Sequence, residues 1–432
     1  NQFIYSKIAP EFGIKKLNKN NIEKDIELNV TLVAPSFRRW LSKKILRVWV
    51  KIRKPVVIIS GYFSPKEAVG IFVLSLGKVL VLPATLFLAE INHNKQTDYK
   101  FRKKLRVKSV DKYDAVSNQL IAFLFPKCVF ESFSSIRDEV YFYKENLSAV
   151  GSAHGIHSNP VYAALASEMT EKGLPMLGFQ HGGNYNLYKY LAGEYYERLY
   201  TNRWYGWAKG VNYGMSPIKL QRSEKYRKEL NRYNQKNVIL IVTNQDSRYV
   251  LRKKSINSDN FIEVVGNQIL LVNTLDDVVR KHVILRPPKA DYGWCIDQLW
   301  KKNVDRPIEV DGNKNFISSL LNARLFVTDS LETTWLEALH LNIPTVIYLS
   351  WEKESVYTEE MEEVIKLLKK VNVIHESPTL AGDFINTIYG DVDGWWMSKM
   401  VQDNVRYCLD YLIEVRGNDI YGWAHELSNW KR

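Results

Sequence analysis

Four short stretches concentrate the side chains that could do chemistry. In TDSLETTWLEA (328–338), Asp329, Ser330, Glu332, Thr333 and Thr334 gather where an apolar strand gives way to a helix. The free N–H groups and positive dipole end of a first turn attract an anion, and the hydroxyls add donors. The same residues also read as a capping box with Ser330 as N-cap and Thr333 three positions on. Capping needs one hydroxyl and this turn offers three, so phosphate binding is the preferred reading. Glu337, one turn deeper, is placed to accept from a ribose hydroxyl. In NQDSRY (244–249), Asp246 follows an apolar strand with Asn244, Gln245, Ser247 and Arg248 around it. Polar neighbours of this kind keep a carboxylate ionised, as a nucleophile requires, although an Asx turn would use the same residues.

In GFQHGGNYN (178–186), Gly182 and Gly183 permit close backbone approach, while Gln180, His181 and Asn184 offer donors and acceptors. His181 suits a general base or an oxyanion donor. In LRPPKADYGW (285–294), Arg286 and Lys289 suit a carboxylate or phosphate, the arginine bidentately. Glu168 and Glu171 are weaker acid–base candidates, and His154 and His157 lie on a glycine-containing loop. No HExxH pair is present and no DxD cluster is evident among these strand-end motifs, so no metal and no further cofactor is expected. GxGxxG and GxxxxGK[ST] are also missing, which weakens the dinucleotide and P-loop readings.

Such residues need strand ends to hold them. Apolar runs such as VVIIS (56–60), KVLVLP (78–83) and LPMLGFQHGG (174–183) mix with helices in the first half. From NVILIVT (237–243) onward, strands and helices alternate regularly through HVILRP (282–287), RLFVTDS (324–330) and TVIYLS (345–350). That alternation predicts parallel, doubly wound α/β sheets, whose ligands bind beyond the carboxyl ends of the strands. The polar stretch 225–235 suggests a boundary. The expected layout is a first α/β domain at 1–235, a second Rossmann-like domain at 236–392 and a helical tail at 393–432. Two such halves describe a GT-B-like architecture with an interdomain cleft.

The 432 residues are 46% hydrophobic and 25% charged, with a net charge of +13. Such a chain can bury a large core and is not disordered. Its surplus of 12 Trp and 25 Tyr suits clefts for sugars or bases. RRWLSKKILRVWVKIRK (38–54) interleaves eight basic residues with Trp, Leu, Ile and Val, and FRKKLRVK (101–108) adds five more. That pattern points to an anionic membrane surface; no nucleic-acid-binding signature accompanies the charge. The apolar stretch 68–91 carries Lys78 at its centre and Pro83, and reads as a buried helix followed by a buried strand rather than a membrane span. Cys128, Cys295 and Cys408 are dispersed, and NQFIYSKIAPEF lacks a signal-peptide pattern. The expectation is a cytoplasmic protein, peripheral on the inner face of the membrane.

The pattern VTDS-x-ETTWLEAL-x(3)-P-TVIYL, with QHGGN upstream and QDS opening the second half, resembles bacterial surface-polysaccharide glycosyltransferases. It is similar to the retaining β-Kdo transferases of capsule, lipopolysaccharide and O-antigen assembly, and to transferases found beside nonulosonic-acid pathways. The resemblance covers roughly 174–350. It implies a GT-B fold and metal-independent, retaining transfer of a 2-keto sugar acid from its CMP-activated form to a glycan or lipid-linked glycan. It places the catalytic carboxylate on Asp246 and the nucleotide-phosphate turn on Ser330, Thr333 and Thr334. Where relatives often carry a basic residue and His-Pro, this chain reads RPPK. Two other readings stay open. One is a CDP-glycerol or CDP-ribitol phosphotransferase using His181 as base. The other is a non-catalytic basic protein that binds membranes.

Overall fold

The computed structural model describes residues 37–83, 98–104, 110–116, 118, 130–208, 237–243, 258–288, 295–304, 308–311, 315–349, 356–413 and 420–429. Asp246, Gln245, Ser247, Arg248 and Lys289 lie outside the described residues, as does Cys128. The chain forms two compact units. The first takes the described residues to Phe179, Tyr200–Arg203 and the chain from Ile420; the second takes Gln180–Leu199 and the chain from Trp204 to the end of its helices.

The first unit is built on strands β1 (Val56–Ile59), β2 (Val79–Leu82), β3 (Ala149–Ser152), β4 (Met176–Phe179) and β5 (Arg203–Tyr205), in the order β2-β1-β3-β4-β5. Pairing is parallel across β2, β1, β3 and β4. The runs VVII, AVGS and MLGF are wholly buried, as expected for strands covered by helices on both faces. Helix α1 (Phe37–Arg53) tucks Leu46 and Val50 into this core. Helix α2 (Pro65–Leu74) starts with a full capping box, Ser64 accepting from the Glu67 amide and the Glu67 carboxylate from that of Ser64. Helices α3 (Phe133–Asn146) and α4 (Pro160–Glu171) pack together on the sheet.

The second unit carries β6 (Ile239–Val242), β7 (Val283–Arg286), β8 (Glu309–Val310), β9 (Leu325–Thr328), β10 (Thr345–Tyr348) and β11 (Ile374–His375), ordered β11-β10-β9-β6-β7-β8 and parallel throughout. Read from its central strand this is the 3-2-1-4-5-6 order of Rossmann-like sheets, with the reversal between β6 and β9. Around it lie α5 (Ala192–Leu199), α6 (Ser258–Thr274), α7 (Phe316–Leu321), α8 (Thr333–His340), α9 (Glu359–Lys370) and α10 (Lys399–Leu412). The amphipathic α9 buries Met361, Val364, Ile365 and Leu368 at three- and four-residue spacing. Two parallel α/β sheets in tandem, with further helices at the end, make the fold GT-B-like.

The expected division at 235 differs from what the contacts show. Residues 180–199 leave the first sheet at the end of β4 and pack in the second unit, where Tyr188 stacks on Tyr357 and the Lys189 amide bonds the Val356 carbonyl. The expected tail is split too: α10 packs on α8 and α9, whereas the last helix, α11 (Ile420–Asn429), packs on α2 in the first unit. Buried apolar faces decide this, Val401, Val405 and Cys408 on α10 and Trp423, Ala424 and Leu427 on α11. The apolar stretch from residue 68 does break into helix and strand, because Gly77 turns the chain at φ +72° between α2 and β2. Among the described residues no helix is long and apolar enough to cross a membrane.

Candidate active site

Register at the reversal point sets the carboxyl ends of three strands side by side. Val242 pairs with Thr328 and Val242 with Arg286, so NQDSRY, TDSLETT and the RPPK turn leave three neighbouring strands at their carboxyl ends. Asp246 follows only four residues after the end of β6, although its own position lies outside the described residues.

The turn after β9 differs from the expected capping box. Helix α8 begins at Thr333, and its N-cap is Glu332, in an extended conformation and with no capping hydrogen bond from its own side chain. Ser330 sits before the helix, only 4% exposed. Asp329 is buried beside it and accepts from the Gln268 amide of α6 at 2.6 Å. Glu337 faces the interior at 3% exposure, which does not suit the expected contact with a ribose hydroxyl. The helix starts late because Leu331, Trp335 and Leu336 are pulled into the core beneath it. What remains at the surface is a first turn flanked by the half-buried Glu332, Thr333 and Thr334, the positive end of a helix and suited to an anion.

The QHGG loop closes over this turn. The Gly183 amide donates to Thr333 Oγ1 at 3.0 Å, so the hydroxyl keeps its own hydrogen to donate elsewhere. A Cβ on Gly183 would lie 2.8 Å from Thr333 Cα and 3.0 Å from the Glu332 carbonyl oxygen; only glycine allows this approach. Gln180 is buried rather than open to ligand. Its amide NH2 donates to the Gly182 carbonyl at 2.8 Å, its Oε1 accepts from the Trp207 amide at 2.8 Å, and its backbone N–H donates to Tyr205. It therefore shapes the loop, leaving His181 and Asn184 half-buried at the surface.

His181 has partners that residue spacing alone does not predict. The Tyr185 hydroxyl lies beside its ring edge, 2.9 Å from Nδ1 and 3.3 Å from Nε2, and donates to Glu197 Oε2 at 2.6 Å. The Tyr185 ring is held between the His181 ring edge at 5.3 Å and the stacked Trp204 ring at 5.7 Å. Glu197, on α5, is 2% exposed, and burial pushes its carboxyl up to about 7 despite the tyrosine hydrogen bond. Glu194 and Glu197 look alike in the string GEYYERL; only the tertiary fold sends one of them inward.

Two candidate side chains have structural employment. Arg286 donates to Asp311 at 2.8 Å and to Ser319, and lies over the Phe316 ring, tying the ends of β7 and β8 to α7. Glu168 pairs with Lys144 at 2.6 Å, with Arg137 at 3.6 Å. The Lys144 hydrogen bond holds its carboxyl below the usual range, which suits an ionised surface partner and not a general acid.

The first unit has its own reversal point, between β1 and β3. There Ser60 and Tyr62 adopt positive φ of 55° and 60°, and Tyr62, half exposed, meets the His154 ring at 5.7 Å. A Cβ on the intervening Gly61 would strike Ile58 Cγ2 at 2.6 Å. Two non-glycine residues in this conformation store backbone strain at a strand's carboxyl end. Among the described residues no group of His, Cys, Asp and Glu converges as a metal site.

A family model described as LIC12162 family transferase matches residues 1–427. The chain belongs to this family. A comparison with curated proteins finds no match. Among solved structures, WaaG, a glycosyltransferase involved in lipopolysaccharide biosynthesis, is 12% identical with a TM-score of 0.39, covering 87% of this chain and 99% of its own. A protein described as a UDP-N-acetylglucosamine 2-epimerase from Listeria monocytogenes is 11% identical with a TM-score of 0.43, covering 86% and 94%. At such scores neither likeness bears on chemistry. This transferase must be read from its own site.

Proposed function

We propose that this transferase moves a 2-keto sugar acid, Kdo or a nonulosonic acid, from its CMP-activated form to a surface-polysaccharide or lipid-linked glycan, with retention. The observation that carries the reading is the shared reversal point. NQDSRY and TDSLETT emerge from paired strands, and the QHGG loop is pinned to the second of them. A CMP-sugar has one phosphate, which the first turn of α8 and the hydroxyls of Thr333 and Thr334 can neutralise. Asp246 would attack the anomeric carbon as CMP departs with the bonding electrons. The acceptor hydroxyl would then displace Asp246, giving its proton to His181, and two inversions return the original configuration. Lys289 and Arg248 are the cations offered to the donor carboxylate, since Arg286 is held by Asp311. Tyr62 and His154 are offered as the glycan-facing residues of the first unit.

Trapping tests the mechanism. Incubation with CMP-Kdo or a CMP-nonulosonate should give an intact-mass adduct that disappears in Asp246→Ala; undiminished turnover by that variant would sink the proposal. The buttressed His181 favours one second reading, a phosphotransferase taking CDP-glycerol or CDP-ribitol with His181 as base. That reading predicts release of CMP from CDP-glycerol and no dependence on Asp246.

On the first unit, α1 exposes Trp40, Leu41, Ile45, Val48 and Ile52, and α2 with its following turn exposes Val69, Val73, Leu74 and Leu76. Arg53 donates to the Leu76 carbonyl and the Trp49 indole to that of Gly77, joining the two faces. Ringed by Lys44, Lys51, Arg53 and Lys54, the patch supports peripheral attachment to an anionic cytoplasmic membrane face.

A further inference from the structure

We propose that Leu76, on the turn between α2 and β2, is the side chain that enters the acyl layer when the first unit meets an anionic membrane. The proposal deepens the peripheral attachment read above, and rests on it.

The turn closes α2 as a Schellman motif. The Gly77 amide donates to the Phe72 carbonyl at 2.8 Å, and the Leu76 amide to that of Val73 at 3.0 Å. This bonding holds the residue after the C-cap Ser75, here Leu76, in the left-handed region at φ 51°. The same pair of bonds closes α4, α8 and α9, with Gly173, Asn342 and Asn372 at the equivalent position. Glycine has no Cβ to clash there and asparagine tolerates the conformation, whereas leucine adopts it at a steric cost. The following residue is exchanged as well. At those three ends it is an apolar side chain packed on the core, Leu174, Ile343 and Val373. After α2 it is Gly77, and the leucine one position earlier stands in water, 71% exposed. Glycine or asparagine at 76 would close α2 as well, with less strain and less apolar surface in solvent.

Helix α1 fixes the turn. Arg53 donates to the Leu76 carbonyl at 2.9 Å and the Trp49 indole to that of Gly77 at 3.1 Å. The Trp49 ring is so close that a Cβ on Gly77 would lie 2.2 Å from its Cζ2. From the other side, Ser75 Oγ accepts from the Val79 amide and donates to the Phe72 carbonyl, both at 3.1 Å. Leu76 is therefore presented on a braced backbone, and little ordering is needed when it meets a partner.

Charge identifies that partner. Arg53, Lys54 and Lys78 flank the turn and are exposed. The acid of α2, Glu67, is buried in its capping box and does not oppose them. Exposed Val69 and Val73 continue the apolar line back along α2 at helical spacing. An apolar tip among cations matches a bilayer with anionic headgroups, whose acyl chains take the leucine while the headgroups meet the cations.

Vesicle sedimentation and melting curves of the full chain test this together. Leu76→Gly and Leu76→Asn should melt no lower than the wild type, since both residues accept a left-handed φ. Both should bind phosphatidylglycerol vesicles about ten-fold more weakly, the loss of one buried leucine. Leu76→Met should bind as the wild type does. Unchanged binding by the glycine and asparagine variants overturns the inference and leaves the peripheral attachment standing; a wild type that ignores the vesicles overturns both. A lower melting temperature in both variants would make the leucine a packing residue and overturn the inference. Self-association that both variants lose, with vesicle binding unchanged, would assign the turn to a second copy of the chain and overturn it too.

Discussion

At the scale of single residues, the site depends on atoms that have no room to move. Gly183 touches the backbone of Thr333, so Gly183→Ala forces the loop off the α8 turn. Overpacking of this kind costs about 1–3 kcal/mol. The expected outcome is a lower melting temperature together with lost affinity for CMP by calorimetry; unchanged affinity would show that the loop is not part of the anion site. Glu197 supplies a pH signature. Its carboxyl rises from an ordinary 4.5 to about 7 on folding, so the native state holds more protons than the unfolded chain between those values. Stability from this group is therefore greatest below about 4.5 and declines as pH rises to about 7, by up to roughly 3 kcal/mol. Melting curves should show that decline in the wild type, and Glu197→Gln should flatten it.

At the scale of elements, ion pairs separate supports from catalytic groups. Arg286 is largely covered and Asp311 buried, and they fasten β7 and β8 to α7. Removing only the arginine strands a carboxylate inside, so Arg286→Met should cost about 3–5 kcal/mol, measurable by urea unfolding. Glu168 is the counter-example. Its partners lie on the helix surface, where exposed pairs contribute about 0–1 kcal/mol. Glu168→Gln should leave both stability and transfer nearly intact, and a large loss of turnover would restore it as an acid–base candidate. The α8 turn makes the same point about helices. A capping box was legible in the letters, yet the burial of Leu331, Trp335 and Leu336 moved the helix start to Thr333. Tertiary packing outweighed a local cap worth about 1 kcal/mol.

At the scale of the whole molecule, α1 and the end of α2 in the first unit expose apolar side chains among the lysines and arginines of α1. The α1 and α2 side chains would enter the headgroup layer while the lysines and arginines meet anionic lipid, each near-surface cation contributing about 1 kcal/mol. Sedimentation with phosphatidylglycerol vesicles should pull the protein down, and neutral phosphatidylcholine vesicles should not. Raising salt should weaken binding through screening. Ile45→Glu with Val48→Glu should abolish it while leaving the melting temperature within about 1 °C, since both side chains are exposed. Equal binding to both lipids would refute an electrostatic contribution.

Chain order and hydrophobic period were enough to determine the α/β class, the two parallel sheets and the strand ends that carry polar motifs. Periodicity is a local property, and buried parallel strands such as VVII and ILIV are written almost without polar letters. What the letters did not contain was the spatial order of the strands. The reversal between β6 and β9, which makes neighbours of segments more than eighty residues apart, exists only through pairing in the sheet. The same holds for the passage of residues 180–199 into the second unit and the return of α11 to the first. Burial is likewise a three-dimensional outcome. It withdrew Gln180 and Glu337 from the surface, engaged Arg286 with Asp311, and set Glu197 behind Tyr185 and His181. Residue types announced the chemistry available; desolvation and packing decided which side chains were left to perform it.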